Sequence, residues 1–194
     1  MGGPTSQLGV FIIIGGMWKY RDTYHENDSA MVYDGMTLNG CREFHTFSDF
    51  CLTNDTRDKD GPTPAQQYEY VCEYARHNQL DKYIKLQHEV VSVRPSADHE
   101  TTKTWMITWR HGDVEGTQEF DGVIISSGRY TKPILPKIAG QDRFQGVYHA
   151  ANRYRHNQQE KVKNKRVLVI GNSLTAGDIA DKIAEAADTV SGHV

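Results

Sequence analysis

An α/β fold is predicted from this sequence by three observations. A short unbroken apolar run spans Arg166 to Ile170, a glycine turn and a helix-period apolar pattern follow it directly, and alternating runs fill the stretch from His88 to Phe120. The first two make a strand, a tight turn and a helix. With Thr189 and Val190 beginning a further strand, they give the order in which a parallel βαβ unit is built. The third observation has the two-residue period of an antiparallel β-meander inserted into that fold.

Taken in chain order, Val10 to Ile14 reads as a strand ended by Gly15 and Gly16, and Arg21 to Gly61 holds only short apolar pieces in a polar stretch. Thr63, Pro64 and Gln66 read as a helix start, with threonine at the cap, proline at the first helical position and glutamine placed to close a capping box. Tyr68, Val71, Cys72 and Ala75 supply the apolar stripe of that helix. The meander follows as His88 to Arg94, Thr104 to Arg110 and Thr117 to Phe120. In its middle run Trp105, Ile107 and Trp109 alternate with Thr104, Met106 and Thr108, and His111 to Asp113 suit a hairpin turn. Val123 to Ile125 is a buried-strand candidate leading to Gly128 and to an extended, proline-punctuated stretch from Lys132 to Pro136. The run Arg166 to Ile170 has the character of a parallel strand buried on both faces. After Gly171, Ala176, Ile179, Ala180, Ile183, Ala184 and Ala187 recur at three- and four-residue steps, as on a helix packed against a sheet.

Composition narrows the function classes. Hydrophobic residues at 38% support a packed core, and a mean hydropathy of -0.63 places polar connections between the apolar runs. A net charge of -3 and a pI near 6.3 give no general attraction for nucleic acid or an anionic membrane. The basic residues Lys161, Lys163, Lys165 and Arg166 read as a solvated loop before a strand. Cys41, Cys51 and Cys72 have neither metal-ligand spacing nor the even count of a disulfide framework, and no metal site is expected among them or the histidines. The longest early apolar run, Val10 to Ile14, is far too short to span a bilayer. A cytoplasmic protein is the expectation.

Two glycine turns are candidate sites. Gly171, Ser173 and Ala176 have the spacing of a Gly-x-Gly-x-x-Gly/Ala turn with serine at the middle position, between a strand and a helix whose positive end would face a pyrophosphate. The same residues would also serve as an ordinary strand-to-helix connection. Gly15 and Gly16 stand just before Trp18, an arrangement that lets a flat ring lie against bare backbone, or simply a glycine turn beside a core tryptophan.

Together these segments resemble the flavin-containing monooxygenases, in particular their soluble branch that oxidises small amines and sulfides. From Gly15 to Trp18 the sequence is similar to the family's flavin-contacting Gly-Gly-x-Trp. Asn39, followed by Gly40, Cys41, Arg42 and Glu43, resembles its Thr-Asn-x-Pro-Lys-Glu segment, with Leu38 in place of the threonine and Cys41 in place of the proline. Phe120 to Gly128, with Pro133 and Pro136, is similar to the strand that returns to the flavin. Phe144 to His149, with Tyr154, resembles the identifying stretch, its histidine one residue early, and Gly171 to Ala180 resembles the NADPH turn.

The resemblance implies a two-dinucleotide-binding flavoprotein fold, incomplete, carrying the β-meander as an insert. It implies FAD and NADPH as cofactors, and a small-molecule amine or sulfide as substrate. Residues 1–163 are then the FAD-binding domain and residues 164–194 the start of the NADP-binding Rossmann-like domain. Asn39 is the implied catalytic residue, donating a hydrogen bond to the oxygen-carrying flavin. Gly15, Gly16, Trp18 and Gly128 fall to the flavin, and Gly171, Ser173 and Ala176 to the NADPH pyrophosphate. A homodimer is compatible with it. Nine residues before Val10 leave no room for the family's first glycine turn and crossover helix, so truncation at both ends is expected. Ile12 or Ile13 also stands where the family has its acidic ribose ligand. A non-catalytic truncated paralogue and a different two-dinucleotide flavoprotein reductase are the alternative readings. The reductase of the disulfide type lacks its Cys-x-x-Cys here.

Overall fold

Thr63 caps the first helix as its neighbours dictate. In the computed structural model, which describes residues 16–21, 32–51, 61–128, 133–155 and 161–193, helix α1 runs Pro64–His77. The Gln66 side-chain oxygen accepts the Thr63 N–H at 2.8 Å while Thr63 Oγ1 accepts the Gln66 N–H at 3.2 Å, a closed capping box. The buried face of α1 carries Pro64, Gln67, Tyr70 and Ala75, whereas Tyr68, Val71 and Cys72 are half-buried. Gln67 turns inward and its amide donates to the His45 carbonyl, a role that a stripe read from apolar residues alone does not register.

The described residues fall into two compact units, the division passing through α1 at residue 70. One unit, residue 16 with residues 70–128, is built on an antiparallel sheet of β1 (Glu89–Pro95), β2 (Trp105–His111) and β3 (Val114–Phe120), in that order. A short helix α2 (His99–Thr102) joins the first two strands. Gly112, with φ 58°, starts the two-residue hairpin between β2 and β3, a conformation that costs glycine little. Ile107 on the central strand and Phe120 at the end of β3 are buried. Trp109 faces Gly116 across the β2–β3 pair, and its ring occupies the space a side chain at 116 would need.

Val123 to Ile125 do not form the expected strand. No described segment pairs with them, and Ile124 and Ile125 are 93% and 78% exposed. An apolar run becomes a strand only where a ladder partner satisfies its backbone groups.

The other unit contains β4 (Arg166–Ile170), α3 (Leu174–Ala184) and β5 (Thr189–His193). The two strands pair in parallel, with Val167 beside Val190, and α3 covers one face. Its core joins Tyr33 and Tyr154 to Ile179 and Ile183, with Val167, Val190 and Met36 packed against them. The expectation that β4 is buried on both faces is corrected here. Val167 and Val169 turn towards cover while Leu168 and Ile170 remain exposed, because among the described residues one helix supplies a single covering layer. Val10 to Ile14 and Gly15 lie outside the described residues. Among the described residues no helix is long and apolar enough to cross a membrane.

Candidate functional site

Asn39 sits on an exposed loop whose backbone is held from several sides. Leu38, just before it, is buried and donates its N–H to the Pro62 carbonyl at 2.9 Å. Gly40, just after it, has φ 97°. The Asn39 carbonyl lies 2.9 Å from His45 Nε2, and because a carbonyl can only accept, the ring nitrogen is the donor. The His45 carbonyl in turn accepts the Gln67 amide of α1 at 3.1 Å. The capped helix, the histidine and the Asn39 backbone thus form one chain of hydrogen bonds, and the exposed side-chain amide is carried on a fixed main chain. Gln67 was not singled out in the sequence, where a helical glutamine carries no signal of this role, and His45 read only as one of the histidines without metal-ligand spacing.

A short 3-10 turn, Arg42–His45, follows the loop. A cleft of about 340 Å³ is lined there by Arg42, Glu43, Thr46, Phe47, Ser48 and Cys51. The Glu43 carboxyl is held below its ordinary range by its own backbone N–H, by the Cys41 thiol and by the Arg42 charge.

The aromatic turn is compact. Gly16 to Trp18 form a 3-10 turn in which Gly16 has φ 45°, nothing within 4 Å of where a β-carbon would stand, and the Trp18 ring half-buried. That open side of the backbone would accept a flat ring. Gly128 is exposed, with φ 76° and similarly open space. Among the described residues no hydrogen bond joins Trp18 or Gly171 to Asn39.

Gly171, Ser173 and Ala176 are brought together at the junction of β4 and α3. Gly171 has φ 131°, a region open to glycine and strained for side-chain-bearing residues, and its open face looks towards the Ala176 methyl, 3.8 Å from an ideal β-carbon. Ser173 is the N-cap, with no capping hydrogen bond from its hydroxyl. The first intrahelical bonds run from the Ala176 and Gly177 N–H groups to the Ser173 carbonyl, at 2.9 and 3.2 Å. The Leu174 and Thr175 N–H groups therefore stand outside the helical ladder, at the positive end of the helix. This arrangement can hold a phosphate by backbone donation.

Asp178, one turn further along α3, accepts the Tyr33 hydroxyl and lies 3.9 Å from Lys182 Nζ. Burial, then the Asp178 carboxylate, push the Tyr33 phenol well above its ordinary range. The stretch from Phe144 to Tyr154 ends in the buried Tyr154 ring, which meets Tyr33 edge-on at 5.6 Å and 73°. His149 has its pKa lowered, first by desolvation and then by the Lys161 and Arg153 charges. Arg155, 2% exposed, donates to the carbonyls of Arg21, Asn152 and Tyr154 at 2.9, 3.0 and 2.6 Å, and its place in the interior had no signature in the sequence.

Comparison with known proteins identifies the family of the chain. The profile of the family described as flavin-binding monooxygenase-like matches residues 12–192. Flavin-containing monooxygenase 3 of Oryctolagus cuniculus is 33% identical over 181 residues, which cover 91% of this chain and 33% of that protein. Flavin-containing monooxygenase 1 of Homo sapiens is 31% identical over 180 residues, with 91% and 33% covered. The chain thus spans about a third of the length of these relatives. Among solved structures, S-allyl-L-cysteine S-oxygenase from Allium sativum superposes with a TM-score of 0.78 at 26% identity, over 95% of this chain and 44% of that one. The α/β flavoprotein fold with its antiparallel meander is therefore the fold of this chain, and the chain belongs to the flavin-binding monooxygenase-like family.

Proposed function

We propose that the chain is part of an NADPH-dependent flavin monooxygenase that oxygenates a soft nitrogen or sulfur atom of a small substrate. The observation that carries this reading is the junction of β4 and α3, where a positive-φ glycine, a small cap residue and unladdered helix N–H groups fit a dinucleotide pyrophosphate. Its names among relatives fit as well: flavin-containing monooxygenases, and an S-oxygenase acting on S-allyl-L-cysteine.

Bound FAD, reduced by NADPH, would supply the oxygen-transfer chemistry. The residues of this chain bind and orient. Gly15, Gly16, Trp18 and Gly128 would take the flavin, the Trp18 ring offering a flat apolar surface beside bare backbone. Gly171, Ser173 and Ala176 would let the main chain approach the NADPH pyrophosphate. Asn39 would point an amide N–H at the reacting oxygen from a loop that His45 and Pro62 hold still, so that little reorganisation is needed at the moment of transfer. In this reading residues 1–163 serve the flavin and residues 164–194 open the NADP side. Cytoplasmic placement and a homodimer accompany it.

The test is spectroscopic. A full-length protein that contains this chain, supplied with FAD, should lose its flavin colour on adding NADPH under nitrogen, and regain it in air with formation of an N- or S-oxide from a small tertiary amine or thioether. Nucleotide binding without flavin reduction would replace this reading with a non-catalytic binding role.

A further inference from the structure

Within one compact unit, two segments assigned to different tasks meet through a partly buried polar contact. The turn from Tyr33 to Met36 closes with the Met36 N–H on the Tyr33 carbonyl at 3.2 Å, and Gly35 in it has φ 71°. The Tyr33 ring, 5% exposed, is seated among Tyr154, Ile179 and Ile183, and from that socket its hydroxyl donates to the Asp178 carboxylate. Lys182 stands one turn beyond, 3.9 Å from Asp178, and its Nζ lies 3.0 Å from where a β-carbon on Gly35 would be. The turn and the helix therefore face each other, with the Lys182 side chain filling the space beside Gly35.

What the two partners carry gives the contact its meaning. Asp178 lies four residues beyond Leu174, roughly one helical turn from the unladdered N–H groups. Tyr33 lies six residues before Asn39, and Leu38 pins the far end of that segment to Pro62. The segment from Tyr33 to Leu38 is thus anchored on α3 at one end and on the Gly61–Pro62 backbone at the other.

We propose that the Tyr33–Asp178 hydrogen bond is a positioning contact that couples the nucleotide-facing end of α3 to the Asn39 loop, so that occupation of the helix N-terminus by NADPH or NADP+ is felt at Asn39. The inference rests on the reading of Gly171 to Ala176 as the nucleotide turn. A helix moves as a unit, so a displacement or stiffening at Leu174 is carried to Asp178. A directional bond from a buried hydroxyl to a carboxylate passes it to Tyr33, where an apolar contact would let the surfaces slip. Coupling of this kind is reciprocal, and the loop's position equally biases nucleotide affinity.

The experiment titrates isotopically labelled full chain with NADP+ and follows backbone amide signals by NMR, with thermal melts to verify folding. The parent should show NADP+-induced shifts at Gly171 to Ala176 and also at Asn39 and Gly40. Tyr33→Phe, which keeps the ring against Tyr154, should retain the first set and lose most of the second. Asp178→Asn should keep both, because the amide oxygen still accepts the phenol. Equal shifts at Asn39 and Gly40 in parent and Tyr33→Phe, or none there in a parent that responds at Gly171 to Ala176, overturn the coupling alone. No response at Gly171 to Ala176 removes the nucleotide reading and the coupling with it.

Discussion

Gly61 lies directly against the backbone of Leu38: a β-carbon on residue 61 would stand 1.9 Å from the Leu38 carbonyl oxygen and 2.6 Å from that of Gly40. Both obstacles are main chain, so neither can rotate away. Gly61→Ala must therefore push the Asn39 loop outward or strain the approach to α1. Overpacking of this kind typically costs about 1–3 kcal/mol. A shifted denaturation midpoint together with altered Asn39 and Gly40 amide signals is the expected outcome. A variant with parent stability and an undisturbed loop would show that the close approach is not maintained in solution.

A different glycine answers to a ring. Gly116 on β3 lies across from Trp109, and a β-carbon there would come 2.3 Å from the indole Cζ2. The ring also has His88 at 4.8 Å and Lys85 Nζ at 5.7 Å from its centre, so its room to move is limited. Gly116→Ala should expel the indole from its place over the strand, with a red shift in tryptophan emission and a loss of about 1–3 kcal/mol in the meander's stability. Unchanged emission would mean that the ring does not rest on Gly116.

How much of this was legible beforehand depends on the range of the interaction. The capping box at Thr63 and Gln66, the hairpin at Gly112 and the strand, turn and helix from Arg166 to Ala184 rest on contacts between near neighbours in sequence, and their residues announced them. Val123 to Ile125 looked equally strand-like, yet a strand depends on a partner that its own residues do not specify. The candidate site divides in the same way. Gly171, Ser173 and Ala176 fall within one local motif and were visible. The scaffolding of Asn39 by Gly61, Pro62, His45 and Gln67, and the reach of Tyr33 to Asp178 across 145 residues, arise from tertiary packing and left no spacing to read.

The Tyr33 phenol sets a pH dependence on the alkaline side. Its folded pKa is raised by burial and by the Asp178 carboxylate, so the folded state favours the protonated hydroxyl. The contribution of this group to stability is complete below the unfolded tyrosine value of about 10 and is lost as pH rises from there towards the folded value. Stability measured from pH 8 to 11 should therefore fall more steeply in the parent than in Tyr33→Phe. The other tyrosines ionise in both proteins and cancel in the difference. Parallel curves would show that Tyr33 titrates normally in the folded chain.

The last prediction concerns the nucleotide turn itself. Gly171 has φ 131°, and the nearest atom to an added β-carbon is the Ala176 methyl at 3.8 Å, so space alone does not exclude a side chain there. Backbone conformation does, because a β-branched residue is poorly compatible with that φ and would drag the turn into an ordinary extended geometry. Gly171→Val should thus rotate the peptide that leads into Ser173 and re-aim the first N–H groups of α3, and NADP+ affinity should drop by at least about tenfold if a single charge-assisted hydrogen bond is lost. Ser173→Gly acts in the opposite sense. The serine hydroxyl makes no capping bond, so little helix stability is lost, while removing the side chain allows closer approach of a phosphate to the main chain. Calorimetry with NADP+ on the parent and both variants should rank Ser173→Gly at or above the parent and Gly171→Val far below it. Equal affinity in the parent and Gly171→Val would reduce the turn to a connection between β4 and α3.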